Sequence, residues 1–267
     1  MKLSFSTLGC PDWSFSDIVA TARDLGYDGV EIHGVANQLD GSKISQFLPE
    51  NAEKTKALLA QKKLEIPILT STCYINDKNI AEETMEKAGR YIDTAQRMGI
   101  KYVRVLCDYG PEQSGQLDDA YIAGQLKTLT AKAGGQGVGL LVETNGYYAN
   151  STRLVKLIDS VGADNLGVLW DIHHPYRYFG ETPEFTVGTL GDLIRHVHMK
   201  DSIVEDGKLK YRLLSQGDLP IRDCVEKLEG IGYTGYYSLE WLKRWDLSLE
   251  EPGIAFASYA SFMQDLL

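Results

Sequence analysis

The chain has 267 residues, a formal net charge of −10 at pH 7 and a pI near 5.0. This acidic balance argues against a nucleic-acid partner, because binding a phosphate backbone requires a basic face. Apolar residues make up 43% of the sequence, as in a soluble globular protein. No stretch approaches the roughly eighteen apolar residues of a membrane span. We therefore expect a cytoplasmic protein with no membrane partner.

Strand and helix patterns alternate along the whole chain. Eight short runs rich in Val, Ile, Leu or Tyr and bounded by turn residues predict strands, at residues 2–7, 28–33, 65–70, 101–107, 138–143, 166–171, 194–200 and 235–240. Segments with helical spacing follow the strands, at residues 15–25, 51–63, 81–98, 119–135, 151–161, 185–190, 221–229 and 252–267. Ser14 and Ser151 are the expected N-caps of the first and fifth helices, and Gly26, Gly99 and Gly162 occupy positions typical of left-handed C-caps.

Eight strands alternating with helices predict a parallel sheet with right-handed crossovers. At this length the α/β pattern favours a closed (β/α)8 TIM barrel, which usually has about 250 residues. An open doubly wound sheet is the rival fold, but no GxGxxG or GxxxxGK[ST] motif follows an early strand. No linker or change of composition divides the chain, so we expect a single domain spanning residues 1–267.

Four polar residues end successive strands in the second half of the chain: Glu143, Asp171, His198 and Glu240. One charged residue at a strand end is usually solvated, but four in succession meet at the catalytic end of a parallel barrel. Three carboxylates and one imidazole suit a divalent cation, Mn²⁺ or Mg²⁺ first and Co²⁺, Fe²⁺ or Zn²⁺ as alternatives. Without the ion, we expect the converging carboxylates to repel one another.

Alternation along a strand places further polar residues on the inward face of the barrel. His196, His198 and Lys200 share one face of the seventh predicted strand, and Glu31 and His33 share one face of the second. Buried polar groups must be paired, so their partners are each other, a metal or a substrate. A structural histidine and a surface lysine are the alternatives for His196 and Lys200.

Histidines and tryptophans just beyond the strand ends are candidates for the walls of the pocket. The tandem His173 and His174 cannot point to the same side, so we expect one to face the pocket and the other to pack. Trp13 and Trp241 follow the first and eighth strands, where an aromatic face can stack on a sugar. We expect Trp13 in the pocket wall and Trp245 at a subunit interface of a homo-oligomer, with loop packing as the alternative.

Seven segments carry a resemblance to a known family: STLGCPDWSF, GYDGVEIHG, LLVETNG, GVLWDIHHP, HVHMKDS, LSQGDLP and GYYSLEW. Spread over nearly the whole chain, they resemble the xylose isomerase-like TIM-barrel superfamily of sugar isomerases and epimerases. The resemblance implies that Glu143, Asp171, His198 and Glu240 bind the metal. It also implies that Glu143 and Glu240 form the acid/base pair and that His174 contacts substrate hydroxyls.

The resemblance predicts a divalent-metal-dependent isomerase or epimerase acting on a sugar or sugar phosphate. A glutamate would remove a proton next to a carbonyl, and the metal-bound enediolate would be stabilised by the cation as a Lewis acid. Lys200 could stabilise the oxyanion. The candidate substrate-binding residues are His174, Lys200, Glu31, His33, Trp13 and Asn145.

Other functions remain open to different degrees. A metal-dependent lyase or dehydratase acting on a keto-sugar, cyclitol or glycoside would use the same enolate chemistry. An abasic-site endonuclease would need a histidine-rich zinc cluster and a basic face, which five histidines and a charge of −10 disfavour. A non-catalytic sugar-binding barrel would not need both glutamates. The substrate is phosphorylated if Lys208, Lys210 and Arg212 form a phosphate site, and unphosphorylated if they are solvated.

Two departures from the family pattern bear on the substrate. Relatives often have Gly-Glu-Gly in the loop after the seventh strand, where this chain has Ser215, Gln216 and Gly217. No arginine follows His198 closely, as it does in some ketohexose epimerases, which weakens that particular assignment.

Overall fold

The computed structural model describes residues 1–113 and 115–266. Its strands are β1 (Lys2–Ser6), β2 (Gly29–Glu31), β3 (Ile68–Tyr74), β4 (Tyr102–Leu106), β5 (Gly139–Glu143), β6 (Leu166–Asp171), β7 (Ile194–Met199), β8 (Asp201–Glu205), β9 (Lys208–Arg212) and β10 (Tyr236–Leu239). Its α-helices are α1 (Phe15–Asp24), α2 (Pro49–Lys62), α3 (Ala81–Met98), α4 (Asp119–Gly134), α5 (Ser151–Val161), α6 (His173–Phe179), α7 (Pro183–Leu190), α8 (Ile221–Gly230) and α9 (Pro252–Gln264). The predicted end of the last helix, Leu267, lies outside the described residues.

Eight of these strands form a parallel sheet in the order β2-β1-β10-β7-β6-β5-β4-β3. Parallel bridges between Gly29 and Glu65 and between Ile32 and Leu69 join its two edge strands. The sheet is therefore a nearly closed barrel with helices between its strands, which confirms the predicted TIM barrel. β8 and β9 form a separate antiparallel hairpin that the sequence patterns did not predict.

Helix ends follow the predicted capping residues with one exception. The side chain of Ser14 accepts a hydrogen bond from the amide of Asp17 at the start of α1. Ser151 is the first residue of α5, and the side chain of Asn150 caps that helix instead, so this prediction was wrong by one residue. The glycines predicted to end helices have positive φ angles: Gly26 at 77°, Gly99 at 71° and Gly162 at 67°.

Apolar side chains fill the barrel beneath its carboxyl-terminal end. Ile68, Leu141 and Leu169 form a fully buried cluster separate from the main core between strands and helices. Leu141 and Leu169 lie two residues before Glu143 and Asp171 and so share their inward face. The cluster closes the barrel below these two carboxylates. No described helix combines the length and the apolar character needed to cross a membrane.

Candidate active site

The four residues predicted to bind metal converge at the carboxyl-terminal end of the barrel. Glu143 ends β5, Asp171 ends β6, His198 lies in β7 and Glu240 follows β10, and these four strands are successive neighbours in the sheet. One ligand atom from each side chain lies within 4.8 Å of the others, and all four residues are buried. Glu143 and Glu240 occupy the two ends of this arc, with Asp171 and His198 between them.

The ring of His198 presents one nitrogen to the three carboxylates. Its Nδ1 lies 3.6 Å from Glu143 Oε1, 3.9 Å from Asp171 Oδ2 and 3.4 Å from Glu240 Oε1. Within the described residues Nδ1 has no hydrogen-bond partner. A buried ring nitrogen left unpaired among carboxylates is costly unless it binds an ion, so the donor set fits a divalent cation.

Glu31 holds the ring of His198 from the opposite side. The Nε2 atom of His198 donates to Glu31 Oε2 at 3.0 Å, and Nε2 of His196 donates to the same oxygen at 2.9 Å. Burial opposes a charge on His198, but the carboxylates of Glu31 and Glu240 outweigh it and raise the pKa of this histidine well above its ordinary value. A bound cation would therefore replace a proton on Nδ1.

Glu31 does not line the cavity above the site, in contrast to its predicted substrate contact. His33, two residues further along the chain, does line it. Two residues of strand span about 6–7 Å, so Glu31 lies one layer deeper in the barrel. Its position makes it a carboxylate that orients a histidine of the candidate metal site.

Arg104 is a site residue that the sequence analysis missed. From β4 its guanidinium donates to Glu143 Oε2 and, at 2.6 Å, to the carbonyl oxygen of Ser71. Burial opposes ionisation of Glu143, but Arg104 and His198 hold the pKa of this carboxyl well below its ordinary value. An arginine at the centre of the apolar run Tyr102–Leu106 was the signal that could have found it.

Lys200 lies in the cavity and not on the protein surface. Its Nζ is 2.5 Å from Glu240 Oε2, 2.6 Å from Asp171 Oδ2 and 3.4 Å from His174 Nε2. Burial favours the neutral amine, yet Asp171 and Glu240 raise the pKa of Lys200 well above its ordinary value. The ammonium is therefore charged and shared between two of the predicted metal ligands.

The tandem histidines point in different directions. His174 lines the cavity, and its Nδ1 donates to the carbonyl oxygen of Thr144 at 2.8 Å. His173 packs on the other side, with Nε2 3.0 Å from the Ser202 hydroxyl. Burial lowers the pKa of both rings, that of His173 to about 2, so both are neutral near pH 7.

A cavity of about 590 Å³ opens above the four predicted metal ligands, of which Glu143 and Glu240 line it. Of the predicted substrate-binding residues, His174, Lys200, His33 and Asn145 line it. Burial and the charge of Arg104 lower the pKa of His33 to about 3, so its ring is neutral. A larger cavity of about 930 Å³ lies at the amino-terminal end of the barrel, but none of the four ligands lines it.

Trp13 and Trp241, the two tryptophans considered for the pocket wall, do not line the cavity. Trp13 does not line the cavity, because its ring packs edge-on against Phe256 of α9, with centroids 5.7 Å apart. Trp241 is buried and donates its indole N–H to the carbonyl oxygen of Glu250 at 2.9 Å. Trp245 lines the cavity while 61% of it remains exposed, and its place at a subunit interface stays a prediction.

The basic residues considered for a phosphate site belong to the β8–β9 hairpin. Lys210 and Arg212 both pair with Glu205 of the same hairpin. Tyr211 is the hairpin residue that lines the cavity, and Lys208 does not.

Fold and site together define the class of protein: a (β/α)8 barrel with buried carboxylates and a histidine converging at the carboxyl ends of its strands. The chain belongs to the xylose isomerase-like TIM barrel family, whose model matches residues 19–263.

Comparison with individual proteins shows relatives of full length. The chain is 24% identical to fructoselysine 3-epimerase of Shigella flexneri over 260 residues, which cover 90% of each chain. The structure of the probable 3-DHS dehydratase AsbF of Bacillus anthracis has a TM-score of 0.81 at 19% identity and covers 99% of both chains. A xylose isomerase-like TIM barrel protein from Mycobacterium smegmatis, in complex with magnesium, has a TM-score of 0.76 at 17% identity, covering 99% of this chain and 96% of that one. The chain is therefore similar in sequence to fructoselysine 3-epimerase over 90% of its length, and it shares the fold of the two solved structures.

Proposed function

We propose that this protein is a divalent-metal-dependent epimerase or isomerase acting on a ketose. The observation that carries the proposal is the arc of four ligands, with Glu143 and Glu240 at its two ends and both lining the cavity. Two carboxylates that reach one bound sugar from strands three places apart suit the removal and return of a proton on opposite faces.

Glu143, Asp171, His198 and Glu240 would hold the cation, with Mn²⁺ or Mg²⁺ as the first choice. When bound, the cation would act as a Lewis acid and stabilise the negative charge that develops on the sugar oxygens. The magnesium complex of the Mycobacterium smegmatis relative supports a hard cation.

Each of the two glutamates at the ends of the arc has a cationic partner that sets its part in proton transfer. Arg104 keeps the carboxyl of Glu143 ionised. Glu143 is therefore in the protonation state that can accept a proton, and once protonated it is a strong acid. Lys200 contacts Glu240 Oε2 at 2.5 Å, where it fixes that carboxylate and can donate to a sugar oxygen. The fructoselysine 3-epimerase similarity supports inversion at a carbon next to a carbonyl as the outcome.

The second candidate is a lyase that expels a leaving group from a keto-sugar, cyclitol or glycoside. The observation that favours it is Lys200, a buried ammonium that could protonate a departing oxygen. The fold of the Bacillus anthracis dehydratase structure is compatible with this chemistry. A lyase would use one glutamate as the base and the other chiefly for the metal.

Substitution of the two glutamates separates these functions. Glu143→Gln and Glu240→Gln keep side-chain size and one oxygen donor but remove the base, so turnover should fall about 100-fold or more. Solvent deuterium incorporation into a panel of ketoses, inososes and 3-keto-glycosides is the measurement. In an epimerase, one variant should lose exchange from one epimer while keeping some from the other, whereas a lyase should release an elimination product.

The control for these variants is Glu226→Gln, which changes an exposed glutamate of α8. Metal content is measured in every variant, so that loss of the base is distinguished from loss of the ion. Near-normal exchange in both glutamate variants with metal retained would contradict the proposal and would move the base to His174 or Lys200.

A further inference from the structure

The cavity is larger than a single sugar requires. Its volume of about 590 Å³ lies well within the range of about 300–1,000 Å³ found for pockets that take drug-sized ligands. A free hexose has only about twelve heavy atoms and would occupy the end next to Glu143, Glu240 and Lys200. The rest of the cavity would remain filled with water.

The outer part of the cavity has aromatic walls. Tyr74 and Tyr109 stack on each other with ring centroids 4.9 Å apart, and Trp245 lies edge-on to His33 with centroids 6.3 Å apart. Tyr109 is 46% exposed and Trp245 is 61% exposed, although both line the cavity. Large rings are left partly in water at the edge of this pocket. Covering them with a ligand removes apolar surface from water, which favours binding.

The stacked pair of Tyr74 and Tyr109 is held in place without a ligand. The Tyr109 hydroxyl donates to the carboxylate of Asp77 at the rim. We define the outer subsite as Tyr74, Tyr109 and Trp245. Stacking and this hydrogen bond already order Tyr74 and Tyr109, so a ligand would lose little entropy in binding against that pair.

The charges of the cavity disfavour a phosphate. Among the described residues that line it, Arg104 and Lys200 are the cations supplied by Lys or Arg side chains. Arg104 is paired with Glu143, and Lys200 is shared by Asp171 and Glu240. Both cations are therefore already paired with carboxylates, and neither is free to bind a phosphate in the outer part of the cavity.

The rim adds negative charge. Asp246 lines the outer part of the cavity and accepts hydrogen bonds from the amide and hydroxyl of Ser248. The cations of the neighbouring hairpin, Lys210 and Arg212, are paired with Glu205. A neutral or amine-bearing group is tolerated there, whereas a phosphate is repelled.

We propose that the substrate is an unphosphorylated ketose joined to a second, neutral or amine-bearing unit, and that this unit binds the outer subsite. The inference rests on the proposed function, because the ketose end is assigned to Glu143 and Glu240. It adds a recognition element that the reaction itself does not require.

The Mn²⁺-loaded full chain is tested by deuterium incorporation into four compounds: fructose, fructose 6-phosphate, a fructose–amine conjugate joined at C1, and an aryl glycoside of a 3-keto-hexose. At least one two-unit compound should give a kcat/KM about tenfold or more above that of fructose, and fructose 6-phosphate should give the lowest value. A preference for fructose or its phosphate would overturn the inference while leaving the proposed function intact.

Two variants assign the effect to the outer subsite. Tyr109→Ala and Trp245→Ala should each lower kcat/KM for the two-unit compound about 5- to 10-fold, chiefly through KM, and leave fructose within about twofold. Phe185→Ala, at an exposed aromatic residue of α7 outside the cavity, is the matched control and should change neither. Equal losses for fructose and the two-unit compound would contradict a separate subsite.

Calorimetric titration with an unreactive aryl glucoside tests the subsite without catalysis. Binding that weakens about 5- to 10-fold in Trp245→Ala, and not in Phe185→Ala, supports the subsite even if no ketose is exchanged. Absence of exchange from every ketose would then count against the proposed function alone. Binding unchanged in Trp245→Ala would overturn the further inference.

Discussion

At the scale of single residues, the orientation of His198 depends on a carboxylate that does not line the cavity, Glu31. Glu31 accepts the Nε2 proton of His198 and so leaves Nδ1 facing the three carboxylates. Partners of this kind fix both the tautomer and the ring orientation of a metal-binding histidine. We therefore expect metal affinity to depend on Glu31 although it supplies no ligand atom.

Substitution of Glu31 tests this role. Glu31→Gln preserves shape but removes the charge that favours donation from His198, so Mn²⁺ affinity should fall about 10- to 100-fold. The measurement is competition with a chelator of known affinity. The control is Glu65→Gln, which alters a carboxylate paired with Lys2 at the opposite end of the barrel. An unchanged affinity in Glu31→Gln would show that packing alone orients the ring.

The residues of the site differ in how far the sequence determined them. Asp171 and His198 end or nearly end apolar strands, and the barrel brings such positions together, so their convergence was predictable. The alternation of side chains along the strand predicted that Glu31 faces the barrel interior. It did not predict how deep in the barrel Glu31 lies, because that depth depends on the stagger between neighbouring strands. Arg104 was missed because the partner that makes its burial tolerable, Glu143, lies on another strand.

At the scale of elements, a signal for the β8–β9 hairpin was present in the sequence. Asp206 and Gly207 form the Asp-Gly pair typical of a two-residue hairpin turn, and both have positive φ angles, 52° and 72°. The polar runs around them resembled a loop rich in cations. α6 was missed because His173 and His174 have weak helix propensity and Pro175 follows, which fits only the first turn of a helix.

Asp171 links the site to helix α6. Its Oδ1 accepts hydrogen bonds from the amides of His173 and His174 at the start of α6, while its Oδ2 faces His198 Nδ1 and lies 2.6 Å from Lys200 Nζ. The same carboxylate thus holds the helix that presents His174 to the cavity and faces the proposed metal position.

Two substitutions of Asp171 separate its two roles. In the metal-free protein, Asp171→Asn keeps an acceptor for α6 but loses the charge paired with Lys200, so it should melt below the wild type. Asp171→Ala also loses the acceptor and should be less stable than Asp171→Asn by a further amount of about 1 kcal/mol. Thermal and urea unfolding in EDTA are the measurements. If repulsion between carboxylates dominated, as the sequence led us to expect, Asp171→Asn would instead melt no lower than the wild type.

At the scale of the whole molecule, the charges of the site are largely compensated without a cation. Glu31, Glu143, Asp171 and Glu240 are the buried carboxylates of the cluster. Arg104 and Lys200 face them, together with the ring of His198, whose pKa the carboxylates of Glu31 and Glu240 raise well above its ordinary value. Below them the apolar cluster of Ile68, Leu141 and Leu169 is independent of the site. The barrel should therefore fold without metal, and the ion should add stability only through binding.

Metal removal measures that contribution. A ligand at about 100 times its dissociation constant stabilises a fold by about 2.7 kcal/mol, which corresponds to a rise in Tm of roughly 5–10 °C for a chain of this size. EDTA should lower Tm by about this amount, and added Mn²⁺ should restore it in proportion to the logarithm of its concentration. Glu143→Gln, which we expect to bind the ion more weakly, should show a smaller shift, whereas the Glu226→Gln control should match the wild type. A chain that unfolds completely when the ion is removed would contradict the charge compensation by Arg104 and Lys200. An unchanged Tm, with the ion shown to be lost, would contradict metal binding at these four residues.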